Sequence, residues 1–88
     1  MELSQQIIDI IHANFTTANQ QLVKDELLSL ELKHVMADSE YNLNNTRLSI
    51  LFLSKQDINE VVKLTARAKE DFRDVIYWAT LDINYPSG

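Results

Sequence analysis

Cysteine is absent from this chain of 88 residues, so no disulfide can brace it and no thiolate can hold a metal. Glycine and proline occur once each, as Gly88 and Pro86, which leaves the rest of the chain without a residue that breaks a helix. Basic residues are in the minority: 8 Lys and Arg against 13 Asp and Glu give a net charge of −5. A phosphate backbone needs clustered Lys and Arg, so nucleic acid is not an expected partner. No apolar run approaches the ~20 residues of a membrane span. Met1-Glu2-Leu3-Ser4 lacks the basic opening of a secretory signal, and the expected location is cytoplasmic, with no membrane partner. Hydrophobic content is 45%, ordinary for a globular domain. One domain over residues 1–88 is expected, held by packed apolar side chains alone and near the lower size limit for a single core.

What is present is dominated by the stretch from Asp57 to Asp82. Ile58, Val61, Thr65, Ala68, Phe72, Val75 and Ala79 recur at alternating spacings of three and four, which places them on one side of an α-helix. Val62 and Ile76 widen that stripe, while Lys63, Arg67, Glu70 and Asp74 fall opposite it. Such a helix, roughly 24 residues and about 36 Å long, cannot bury its own stripe. The upstream segments must cover it.

A first helix is expected from about Glu2 to Asn14, with Leu3, Ile7, Ile10, Ile11 and Asn14 on one face and Ile8 and Phe15 at its margin. Thr16 to Asn19 reads as a break. Thr17 with Gln20 fits a capping box and would open a second helix to about Met36. That helix carries two stripes, Val23, Leu27 and Leu30 on one side and Leu28, Leu32 and Val35 on another. A helix apolar on two sides lies between partners: two neighbours in the same chain, or one neighbour and a second copy. Ala37 to Asn45 is polar and reads as a loop. Leu43, Arg47, Leu48 and the run Ile50-Leu51-Phe52-Leu53 then form a short, buried third helix, since a strand there would have no partner. Lys55-Gln56 is a tight connection, and Asp57 with Glu60 is a capping box for the long helix.

Few residues carry a chemical pattern. Asp9-x-x-His12 and Glu31-x-x-His34 have the spacing that lets two side chains ligate one metal from a single helix. A di-metal bundle needs two further inward carboxylates, and Asp9 and His12 sit opposite their apolar face, so neither a metal nor a cofactor is assigned. No nucleophile is spaced to use these histidines for acid/base work. The run from Lys69 to Asp74 is the densest in charge. Arg67 with Asp71 and Glu70 with Arg73 can pair along a helix face, and Arg47 is a candidate partner for Asp71 and Asp74. Lys69 and Arg73 border the apolar stripe, where buried stems would aim their charged heads at one partner. Tyr77, Trp78, Leu81 and Tyr85 gather at the end of the long helix. Tyr77 and Trp78 project away from the Phe72 side, and large amphipathic rings off a core face are enriched in interface anchors. Lys69, Arg73, Tyr77, Trp78, Leu81 and Tyr85 are the candidate interaction surface.

The stretch Arg47-Leu48-Ser49-Ile50-Leu51-Phe52-Leu53-Ser54-Lys55-Gln56-Asp57-Ile58, followed by Ala68-Lys69-Glu70-Asp71-Phe72-Arg73-Asp74-Val75-Ile76-Tyr77-Trp78-Ala79, resembles a family of small bacterial helical proteins of unknown function. Their second half reads approximately RLxxAVLxLSxGDLxxLxxxVxxAxxDYRDVLxxAEYP. The match spans about two fifths of the chain. By resemblance, Asp71, Arg73 and Asp74 take the positions of the family's charged motif, which implies a specific ion-pair role; no catalytic residue is implied. Gln56 stands where the family has Gly before the capping Asp. Either the cap is left-handed and that exchange costs about 1 kcal/mol, or the turn differs from the family's.

The expectation is an all-α domain, a small bundle of three or four helices with a long C-terminal helix. The expected function is a non-catalytic protein-interaction or regulatory domain with a protein partner, either another protein or a second copy in a homodimer. The alternative is an acidic, immunity-type inhibitor of a basic protein. An enzyme ranks third and nucleic-acid binding last.

Overall fold

Short polar side chains stand where the helices begin. Ser4 Oγ accepts from the backbone N–H of Ile7, Ser39 Oγ from that of Asn42, and Asp57 Oδ1 from that of Asn59. Each satisfies one of the donors that a helix start leaves without an intrahelical partner. The computed structural model describes residues 3–35 and 39–84, side chains of 82–84 excepted. Their order is α1 (Gln5–Asn14), α2 (Thr17–Leu28), a 3-10 turn (Leu32–His34), α3 (Glu40–Ser54) and α4 (Ile58–Asn84). The protein is a small all-α bundle with a long C-terminal helix.

The stripe on α4 faces the core. Val61, Thr65, Ala68 and Val75 have no exposed surface, and Phe72 and Ala79 are buried. Each large apolar side chain so removed from water contributes about 1.5–3 kcal/mol. α3 lies along α4 in the largest interface of the molecule, and α2 and the 3-10 turn cover the remainder. Ile7 and Ile11 of α1, Val23 and Leu27 of α2, and Leu43 and Ile50 of α3 join the same cluster. Val62, expected to widen the stripe, is instead 45% exposed, whereas Ile76 packs against the core as expected.

Four boundaries depart from expectation. α1 starts at Gln5 rather than Glu2, with Leu3 buried ahead of the cap. α2 stops at Leu28 instead of continuing to Met36. The chain turns at Ser29, whose hydroxyl donates to Glu26 O, so Leu32 and Val35 belong to the following turn and not to a second stripe on α2. At its start the cap residue is Thr16, and Gln20 donates to Phe15 O instead of completing a box with Thr17. The segment read as a loop to Asn45 is helical from Glu40. Its polar residues hide a buried series of Leu43, Thr46, Arg47, Ile50 and Ser54, in which the Thr46 and Ser54 hydroxyls donate to backbone carbonyls one turn earlier. Residues 36–38 and 85–88, which include part of that loop and Tyr85, lie outside the described residues.

Lys55 and Gln56 make the connection between α3 and α4 with φ of 51° and 69°. Both are in the left-handed region, where a Cβ is costly. Gln56 therefore holds, with a full side chain, a conformation that favours glycine.

Candidate functional site

α4 is two helices joined end to end. Asp71 has φ −155° and ψ 97°, extended values inside an otherwise helical run. Its carboxylate takes the place of the missing helical bond: Oδ1 accepts from the backbone N–H of Arg73 at 3.1 Å. Arg73 Nε also donates to Oδ1 at 3.1 Å, and Nη2 to Oδ2 at 3.3 Å. This is an N-cap in mid-helix. Hydrogen bonding from Arg73 holds the Asp71 carboxyl below the usual carboxylate range.

Arg67 ties the two halves together. Nη1 donates to Glu70 at 3.0 Å, at the end of the first half, and Nη2 donates to Asp74, in the first turn of the second. Asp74 is favoured at the positive end of the new helical segment, and Glu70, unfavourable at the end of the old one, is offset by the guanidinium. The expected pairs, Arg67 with Asp71 and Glu70 with Arg73, are thus replaced, because the bend at Asp71 changes which side chains stand one turn apart. Arg47 reaches neither Asp71 nor Asp74.

The same guanidinium lies over the Trp78 ring, its Cζ 6.0 Å from the centroid, within range of a cation–π attraction. Trp78 is 40% exposed and Tyr77 60% exposed. Beyond the bend, Arg73 and Tyr77 are four residues apart, as are Asp74 and Trp78, so each exposed ring follows a charged residue by one turn. Leu81, half-buried, completes this outer face. The bend separates Lys69 from it, and Lys69 and Arg73 are both exposed, with no buried stems.

The histidines are occupied. Lys24 Nζ lies 3.1 Å from His12 Nε2, and an ammonium can only donate. Asp9 accepts from Gln5 at 2.9 Å. The backbone N–H of Glu31 donates to His34 Nδ1 at 2.9 Å, while the Glu31 carboxylate is 3.7 Å from Lys33 Nζ. A neutral imidazole has one acceptor nitrogen, and in each ring it is used within the chain. Among the described residues, no three His, Asp or Glu side chains group to hold a metal ion.

Arg47, expected in the buried third helix and as a partner for Asp71 and Asp74, is the buried charge, but its partners are backbone carbonyls. It is 4% exposed. Nε donates to Leu27 O at 3.0 Å and Nη2 to Leu30 O at 2.8 Å, closing the end of α2 from α3. A cation is favoured at that negative helix end, although burial pushes its pKa down. Its place in the series on α3, one turn after Leu43 and three residues before Ile50, accounts for its burial, whereas nothing in the sequence points to the end of α2 as its partner.

No protein-family model, curated protein or solved structure matches the chain. Among the described residues no helix is long and apolar enough to cross a membrane.

Proposed function

We propose that the protein is a small, non-catalytic, cytoplasmic protein-interaction domain whose contact face is the outer side of α4 after the bend. The observation that carries this reading is the Trp78 ring, held outward under Arg67 while Glu70 and Asp74 hold Arg67. A side chain already fixed in place loses little rotamer entropy on binding, and exposed Trp and Tyr dominate the energetics of interfaces. The partner we assign to the face is a second copy of the chain. Around the rings, Arg67 and Arg73 alternate with Glu70, Asp71 and Asp74, and a face of mixed sign is complementary to itself about a two-fold axis.

Sedimentation velocity on the wild type and on Trp78→Ala tests the proposal. A wild-type dimer that Trp78→Ala converts to monomer, with little loss of stability, is the expected result. A strictly monomeric wild type removes self-association, and an unchanged oligomeric state with a large loss of stability assigns Trp78 to the fold. The net charge of −5 favours one second reading, an acidic inhibitor of a basic protein. Binding to a basic partner that weakens steeply with added salt would distinguish it.

A further inference from the structure

The end of α2, the 3-10 turn and α3 enclose a cavity of about 350 Å³, lined by Leu28, Glu31, Leu32, Lys33, Leu43 and Arg47. Three of these are leucines, and Arg47, 4% exposed, is the most deeply buried charge among the described residues. A guanidinium has five N–H donors. Two are given to Leu27 O and Leu30 O, and the other three meet no acceptor among the described residues. No carboxylate among those residues pairs with Arg47 either. We propose that this cavity binds a small amphipathic carboxylate, received by the free edge of the Arg47 guanidinium, with a short hydrocarbon tail laid on Leu28, Leu32 and Leu43.

The charge balance supports that class of ligand. The carbonyl end of a helix supplies roughly half of a negative charge, so α2 offsets only part of the cation it holds. A buried and partly compensated charge is costly, and a carboxylate brings both the missing charge and two acceptor oxygens in the plane that a guanidinium matches. At the rim, Glu31 is tied to Lys33 at 3.7 Å, so the mouth carries no net repulsion for one negative charge. A dianionic phosphate is disfavoured by the apolar lining and by the single cation behind it. A volume of this size lies at the low end of small-molecule sites and suits a chain of about six carbons.

The test is a titration of the full chain with hexanoate, followed by the backbone amide resonances and the Arg47 Nε–H signal in nitrogen-15 NMR. Hexanamide, of the same shape but neutral, is the control. Saturable shifts at Arg47, Leu28 and Leu43 are expected with hexanoate, with hexanamide bound about 10-fold more weakly for want of the charge-assisted bonds. Lys33→Glu, an exposed change at the mouth, should weaken hexanoate about three-fold or more with an unchanged unfolding midpoint. Absence of saturable shifts at Arg47, or hexanamide bound as tightly as hexanoate, overturns the proposal. An unaltered hexanoate affinity in Lys33→Glu overturns it too.

Discussion

Replacing Arg47 with methionine removes the guanidinium but keeps most of the volume of the side chain. Two hydrogen bonds from a charged donor disappear, at 3.0 and 2.8 Å, and such bonds contribute about 1.5–3 kcal/mol each. The change also relieves the burial of a charge, and in other settings an apolar replacement of a buried ion is neutral or stabilising. What decides here is what stays behind. Leu27 and Leu30 have no exposed surface, so their carbonyls cannot turn to bulk water, and each unsatisfied group costs about 1–3 kcal/mol. The net loss for Arg47→Met is therefore placed at about 2–4 kcal/mol. A chain of this length has a total stability of roughly 4–13 kcal/mol at 0.05–0.15 kcal/mol per residue. Urea unfolding followed by circular dichroism measures the difference directly. With a slope of about 1 kcal/mol/M, the midpoint moves about 2–4 M lower. Arg47→Lys keeps the charge but offers a point donor in place of a fork, and should fall between the two. If Arg47→Met lies within about 1 kcal/mol of the wild type, Arg47 is not what closes the end of α2.

Gln56→Gly relieves about 1 kcal/mol at φ 69° and gives up the exposed bond from Gln56 Nε2 to Asn14 Oδ1 at 2.9 Å, worth about 0.5 kcal/mol, so the urea midpoint should rise slightly; a loss of more than about 1 kcal/mol contradicts the strained connection. Thr65 Oγ1 is buried without a hydrogen-bond partner, so the isosteric Thr65→Val should stabilise by about 1 kcal/mol, and a loss would mean that the hydroxyl is satisfied. The folded-state pKa of Asp71 is depressed, so its stabilising contribution is present above the unfolded value near ~3.9 and fades as pH falls through the folded one. Asp71→Asn keeps a capping oxygen but not the charge; its unfolding midpoint should lie below that of the wild type at neutral pH and converge with it in acid, and parallel pH profiles would contradict the assignment.

The buried face of α4 was legible because period is a property of sequence: Val61, Thr65, Ala68, Phe72, Val75 and Ala79 are buried as their spacing requires. The end of α2 was not legible, because its stop is tertiary. No Gly, Asn or Pro follows Leu28 to announce it, and the carbonyls at that end are closed by a side chain on α3, far along the chain. The start of α3 was missed for a different reason. Glu40 to Asn45 has the composition of a loop, and only Leu43, in register with Thr46, Arg47 and Ile50, marks its buried side. Tyr77 and Trp78 were placed off the core by the same period that set Val75 and Ala79 on it, and both rings are exposed.

The bend at Asp71 shows why spacing alone misleads about the outer face. A one-residue extended break leaves the three-and-four rhythm of the buried side intact, since Ala68, Phe72 and Val75 still meet the core. It changes the outer side, where the expected ladder of Arg67–Asp71 and Glu70–Arg73 becomes a cap at Asp71 and a bridge from Arg67 to Asp74. An acidic residue followed three positions later by another is the pattern of a helix start, and Asp71 with Asp74 has it in the middle of a helix. In a straight α4, Arg67 and Asp74 would stand two turns apart. The bend lets one guanidinium join the two segments and lie over Trp78, so the cap at Asp71 and the outward presentation of the ring are parts of one arrangement.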